Sequence, residues 1–244
     1  MTAEPVIVIN GVSRLYPVSS GSFAALSDIE LTIAAGEFSG LVGPSGSGKT
    51  TLLNLIGSLD APTSGEIIVL GQKVQELDAR GAARLRRDQL GFIFQTYNLL
   101  PVYTVFENVE FPLLLLQMER QKRRDAVMDI LERVGLADRA GSRPAQLSGG
   151  ECQRVAIARA MVKHPSLVLA DEPTANLDAD NSHRILQTML TLNRDLGTTF
   201  LFATHDDKVI QYLRRVIVLF DGRIAQDEVR DETAVSAGTP GGYF

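Results

Sequence analysis

The segment Gly43-Pro44-Ser45-Gly46-Ser47-Gly48-Lys49-Thr50 constrains this chain more than any other. Phe38-Ser39-Gly40-Leu41-Val42 runs into it with the apolar, β-branched character of a strand, and Thr51-Leu52-Leu53-Asn54-Leu55-Ile56 leaves it as the start of a helix. This is G-x-x-x-x-G-K-[ST] in the strand–loop–helix setting that gives the motif its meaning. Glycines let backbone N–H groups turn inward around phosphate oxygens, and the helix N-terminus adds partial positive charge. Lys49 supplies a point charge to the outer phosphates, while the Thr50 hydroxyl suits Mg²⁺. A flexible glycine turn could match the spacing, but it would not explain the flanking strand and helix.

The rest of the chain repeats the strand signal. Runs rich in β-branched residues fall at Val6–Asn10, Ile29–Ile33, Glu66–Leu70, Leu90–Phe94, Leu167–Ala170, Thr199–Ala203 and Val216–Phe220. Several are continuously apolar, as parallel strands covered on both faces by helices must be. Val127, Ile130, Leu131 and Val134 form one stripe at helical spacing, with Lys122, Arg123 and Arg124 expected on a solvated face. The stretch from about Leu99 to Lys163 reads as mostly helical and interrupts the strands. Residues 231–244 offer little to bury and are expected to form a loose tail. There is no internal repeat, so the chain holds one such unit.

Composition sets limits on function. The formal charge of −5 gives no basis for a nucleic-acid partner. Cys152 is the only cysteine, which excludes an intrachain disulfide and a cysteine-built metal site. A single small packed residue is the plain reading of Cys152, against a redox sensor on the first turn of a helix. Only four apolar residues follow Pro5, too few for a signal-peptide core, and no apolar run approaches the roughly 20 residues of a membrane span. Any link to a membrane is therefore expected through a partner.

A second cluster follows the strand Leu167–Ala170. Asp171 at its end stands where α/β sheets bind ligands and is a candidate Mg²⁺ holder. Glu172, one residue on, is a candidate general base for a water in line with the γ-phosphate. His205 follows another strand end on the same side, where an imidazole could orient that water and donate to the phosphate. A lone D-E pair could be a helix cap and a lone histidine structural; the phosphate loop upstream gives both their functional reading.

Leu147-Ser148-Gly149-Gly150-Glu151 precedes Asp171 with a helix between. Ser148-x-x-Glu151 is a capping box that would open the helix Cys152–Lys163, and the glycines leave its N–H groups approachable by an anion. With these motifs the chain resembles an ABC-transporter nucleotide-binding subunit over about Val6 to Ala225. The resemblance implies an α/β fold of the P-loop NTPase type, the ABC ATPase fold. Its parts are a RecA-like, mostly parallel core sheet, an antiparallel β subdomain and an inserted α-helical subdomain at about 99–163, within one domain over residues 1–230. It also implies ATP and Mg²⁺ as ligands, with Lys49, Thr50, Thr51, Gln95, Asp171, Glu172 and His205 on one chain. Ser148, Gly149, Gly150 and Asp178 would face the nucleotide of a second copy, making the working unit a homodimer. Gln95 resembles the glutamine that contacts Mg²⁺ and the attacking water, and Tyr16 the aromatic residue stacked on adenine.

Pro44–Asn54, Gly91-Phe92-Ile93-Phe94-Gln95, Asn98-Leu99-Leu100-Pro101 and Glu107–Pro112 resemble one subgroup, the ATPases of lipoprotein release, macrolide or peptide efflux and bacterial cell division. Glu151-Cys152 and Ala175 depart from its usual wording. Membership implies a separate integral membrane permease with a large extracytoplasmic domain, and a place on the cytoplasmic face of the inner membrane, held through that permease. A soluble ABC ATPase of translation or DNA repair is the competing reading. One ATPase unit, about 120 residues between the phosphate loop and Asp171, and a single cysteine all count against it. An unrelated P-loop kinase would not need the Leu147–Glu151 segment.

Overall fold

The computed structural model describes residues 5–19 and 21–230, so the expected loose tail at 231–244 lies outside the described residues. In chain order the elements begin with β1 (Pro5–Val18), β2 (Gly21–Ala34), β3 (Phe38–Val42), α1 (Lys49–Ile56), β4 (Ser64–Val69) and β5 (Gln72–Lys73). There follow α2 (Ala79–Asp88), β6 (Leu90–Ile93), α3 (Val105–Leu115), α4 (Arg120–Arg133) and α5 (Gly149–Met161). The chain then returns through β7 (Leu167–Asp171), α6 (Ala179–Leu196), β8 (Thr199–Thr204), α7 (Asp207–Ile210), β9 (Arg215–Phe220) and β10 (Arg223–Val229).

The central sheet has the order β10-β9-β3-β8-β7-β6, with every pair parallel except β10 on β9. Its strands are apolar on both faces, and the two-residue alternation of side chains sends neighbours into different cores. Phe38, Val42, Val168, Phe200, Phe202, Val216 and Val218 pack with residues of α3, α4, α5 and α6. Leu41, Leu169, Leu201, Ala203, Ile217 and Leu219 face the other way, toward α1 and the second sheet. The Phe38 ring lies 4.7 Å from that of Phe202 and 5.5 Å from that of Phe200, the tilted contacts aromatic pairs prefer.

That second sheet is antiparallel, in the order β2-β1-β4-β5. β1 and β2 run well beyond the apolar segments Val6–Asn10 and Ile29–Ile33, because main-chain pairing continues through register shifts where few side chains are buried. β5 and β10 carry no sequence signal: β5 has two residues, and β10 is largely exposed. β10 is held instead by β9 and by the paired hydrogen bonds from Arg215 to Asp227 at 2.8 and 2.7 Å.

The helical stretch is pinned at its turns. Thr104 and Glu107 form a capping box at α3, and the fully buried Asn108 amide accepts from Leu100 N–H at 2.7 Å while donating to the carbonyls of Leu100, Tyr103 and Thr104. The stripe Val127, Ile130, Leu131 and Val134 is buried, as its spacing requires. Arg123 departs from the expected solvated face. Its guanidinium turns back to Glu110 at 2.9 Å and to the Met118 carbonyl, joining α4 to α3 and the turn between them.

Candidate active site

β3 ends against the phosphate loop, and packing dictates why the loop is glycine-rich. A Cβ on Gly43 would lie 2.1 Å from the Leu219 carbonyl of β9, and one on Gly48 2.7 Å from the carbonyl of Ala25. Gly46 and Gly48 also hold φ of +83° and +103°, a region open to glycine at little cost. The Lys49 ammonium is buried and donates to the carbonyls of Gly43 at 2.6 Å and Pro44 at 2.9 Å. Burial lowers its pKa, against the opposing charges of Glu172 and Asp171. A cavity of about 480 Å³ opens here, and Ser45, Lys49, Thr50, Gln95, Glu172 and His205 are among the residues that line it.

The acidic pair stands at the end of β7 beside this loop. The Thr50 hydroxyl donates to both Asp171 oxygens, at 3.2 and 3.1 Å, and burial raises the pKa of that carboxyl. Glu172 takes φ +44°, a strained setting for a residue with a side chain, and its N–H donates to Ala203 at 2.9 Å. The carboxylate is thereby turned toward the end of β8. One oxygen accepts the Thr204 hydroxyl at 3.1 Å and the other lies 2.6 Å from His205 Nδ1. Thr204 was not legible as a site residue; its hydroxyl simply ends an apolar strand.

Gln95 follows β6 on a strained loop, in which Tyr97 and Asn98 take φ of +58° and +50°. Arg159 of α5 holds that loop by donating to the carbonyls of Tyr97 at 2.7 Å and Asn98 at 2.5 Å. The Asn176 amide donates to the Gln95 carbonyl at 2.9 Å, tying this loop to the segment after Glu172.

Ser148, Gly149, Gly150 and Asp178 do not line the cavity. Ser148 caps α5, with both halves of the capping box formed with Glu151. Asp178 caps α6, accepting from the Asn181 N–H at 2.8 Å and its side-chain amide at 2.7 Å. The two motifs touch: a Cβ on Gly150 would lie 2.8 Å from Asn181 Oδ1. Tyr16 also stands off the cavity lining, its hydroxyl donating to Asp60 at 2.7 Å with the Arg14 guanidinium 4.5 Å above its ring. Its cross-strand neighbour Phe23, 55% exposed, is the aromatic residue that lines the cavity. Cys152 is buried with its thiol pKa pushed up by burial and by Glu151, the setting of an inert packed residue.

A family profile described as ABC transporter matches residues 26–175. The chain is 44% identical over 227 residues to the macrolide export ATP-binding/permease protein MacB of Burkholderia thailandensis, covering 93% of this chain and 35% of that protein. It is 45% identical over 240 residues to MacB 1/2 of Paracoccus denitrificans, covering 98% of this chain and 35% of that one. The chain thus spans about a third of the length of these curated relatives. Among solved structures, the dimeric post-hydrolysis state of the ATP-binding cassette MJ0796 with ADP and phosphate matches at a TM-score of 0.85 and 40% identity, over 92% of this chain and 99% of that one. CbiO1 from Clostridium perfringens matches at 0.84 and 28% identity, over 93% and 89%. The chain belongs to the ABC transporter family. Its fold is the ABC ATPase fold, and its activity is ATP binding and hydrolysis.

Proposed function

We propose that two copies of this chain close face to face on ATP and that the closure drives a membrane permease of the export or mechanotransmission kind. One observation carries the reading. Lys49, Thr50, Gln95, Glu172 and His205 share one cavity, while the exposed N-terminus of α5 with Ser148 and Gly149, and Asp178 beside it, stand outside that cavity and are free to face another chain's nucleotide. The related cassette MJ0796 is itself dimeric.

The hydrolytic step follows from the residues present. The phosphate loop and Lys49 hold the nucleotide phosphates, and Glu172 takes a proton from a water attacking the γ-phosphorus as the bond to the β-phosphate oxygen breaks. Each Glu172 oxygen keeps a lone pair beyond its present hydrogen bond, so the base remains available. Thr50 and Asp171 supply hard oxygen donors beside each other, with Gln95 nearby, which fits Mg²⁺ shared with phosphate oxygens; that ion would neutralise charge on the β- and γ-phosphates. Ser148 and Gly149 would bring the dipole of α5 to the γ-phosphate from the second copy. Stacking on adenine is assigned to the Tyr16–Phe23 edge of the β1–β2 hairpin.

The curated relatives carry permease in their names, and no helix among the described residues is long and apolar enough to cross a membrane. A permease would therefore hold the chain at the cytoplasmic face of the inner membrane. A second cavity, of about 510 Å³, lies where β6 and α2 meet α3 and α5, directly behind the Gln95 loop, and is the proposed docking site. The relatives' names favour macrolide-like cargo over lipoprotein release. Glu172→Gln with Mg-ATP tests the paired site: light scattering should give the mass of a dimer, and a monomer at saturating ATP overturns the reading.

A further inference from the structure

Gln153 lies one turn into α5 with no exposed surface, and neither its amide nitrogen nor its amide oxygen has a hydrogen-bond partner among the described residues. A buried amide left unpaired costs stability, and in folded proteins the great majority find a partner. Helical geometry fixes which way this one faces. Gln153 follows Gly149 by four residues and Gly150 by three, so the three share one side of α5. Helical side chains lean toward the N-terminus, which carries the Gln153 amide back toward the two glycines. That side of α5 is covered by the segment after Glu172. A Cβ on Gly149 would lie 3.7 Å from Leu177 Cδ2 and 3.9 Å from the Asn176 carbonyl oxygen, and one on Gly150 2.8 Å from Asn181 Oδ1. Within the segment the N–H groups of Ala175 and Leu177 donate to the carbonyls of Glu172 and Thr174, at 3.3 and 3.0 Å. The Asn176 N–H and carbonyl make no main-chain bond among the described residues.

We propose that Gln153 is a positioning residue, whose amide takes up the free main chain of Asn176 when two copies of the chain close on ATP. The inference rests on the dimer reading above and adds a residue that favours the closed state over the resting one. An amide suits the task, because its oxygen accepts an N–H while its nitrogen donates to a carbonyl. Gly149 and Gly150 leave open the space that a side chain on this face of α5 would fill. The segment is built to shift: Glu172 at its head holds φ of +44°, and Ala175, Asn176 and Asp178 are exposed. A bond at Asn176 reaches both half-sites. Asp178, two residues on, is the group offered to the second copy, and the Asn176 side chain already holds the Gln95 carbonyl at 2.9 Å. An amide unpaired at rest and paired on closure interacts differently with the two states, which is what shifts the balance between them.

Gln153→Met and Gln153→Leu keep bulk at the site and remove both polar atoms. In the nucleotide-free chain at least one of them should raise the thermal midpoint by about 2–4 °C, because it relieves the unpaired amide. In the Glu172→Gln background with Mg-ATP, light scattering should show that same variant dimerising about tenfold more weakly. Its affinity for a fluorescent ATP analogue, measured on chains too dilute to dimerise, should stay within about twofold of the parent. A residue needed only for packing would lower the resting midpoint instead. Midpoints unchanged or lowered in both variants, or loss of folding in both, mean that the amide is already bonded at rest and overturn the proposal. Undiminished dimerisation overturns it as well and leaves the dimer reading standing, whereas a Glu172→Gln parent that stays monomeric overturns both.

Discussion

His205 Nδ1 lies 2.6 Å from a Glu172 carboxylate oxygen, so the ends of β8 and β7 are joined through the two side chains expected to handle the attacking water. An imidazole that donates Nδ1–H to Glu172 can donate Nε2–H to a phosphate oxygen only as the imidazolium. Its contact through Nδ1 then serves to orient the Glu172 carboxylate. His205→Ala should lower ATP turnover by about 10²-fold or more while leaving ATP affinity within about twofold. Phosphate release and titration with a fluorescent ATP analogue separate the two effects. An equal loss in both would make His205 a binding residue.

The phosphate-loop glycines do different work, and alanine tells them apart. At Gly43 a Cβ would meet the Leu219 carbonyl at 2.1 Å, a clash with backbone that only movement of β9 relieves. Gly43→Ala should cost about 3 kcal/mol or more and abolish nucleotide binding. Gly46 has open space around it but φ of +83°, so Gly46→Ala should cost about 1–2 kcal/mol in backbone strain. Denaturant unfolding of both variants gives the comparison, and equal losses would show that conformation, not the β9 contact, fixes Gly43.

Ser148 should show two separable roles. As the N-cap of α5 it accepts the Glu151 N–H at 3.3 Å, and Ser148→Ala should cost about 1 kcal/mol of stability. Ser148→Arg places bulk on the exposed end of α5, away from its own chain's phosphate cavity. That variant should stop hydrolysis with ATP affinity nearly unchanged, because the obstructed site belongs to the second copy. Mixing it with a Lys49→Ala chain should restore one working site per mixed dimer. Absence of any rescue would tell against half-sites.

Much of this was legible in the sequence where one residue type answers one local demand. The phosphate loop is such a case, since positive φ at Gly46 and Gly48, with close backbone approach at Gly43 and Gly48, leaves few alternatives to glycine. β3, β7 and β8 were legible because burial on both faces demands uninterrupted apolar residues. What sequence could not show depends on distant segments meeting. Phe23 reads as an ordinary strand aromatic until the β1–β2 hairpin brings it to the phosphate loop. β10 has almost nothing to bury and exists through its pairing with β9. The second cavity, behind the Gln95 loop, draws on Leu59, Arg86, Phe111 and Lys163, which share no local pattern.

Lys163 gives the chain a measurable alkaline signature. Burial pushes its pKa down to about 8, with nearby Asp88 opposing the shift and Arg87 adding to it. In the unfolded chain an ordinary lysine titrates near 10.4. Between those values the unfolded state keeps a proton that the folded state has released, so this residue makes stability rise with pH across that window. Below about pH 8 the folded chain carries the full cost of the partly buried ammonium. Lys163→Met removes the titration along with the two carbonyl contacts, which do not depend on pH to the same degree. Relative to wild type, the thermal midpoint of the variant should therefore be more favourable at about pH 7 than at about pH 9.5. Competitive acylation read by mass spectrometry should show the Lys163 amine half-reactive near pH 8, below the ordinary lysine range. A pH-independent difference in midpoint, with Lys163 half-reactive only in the ordinary lysine range, would mean that burial does not depress this amine.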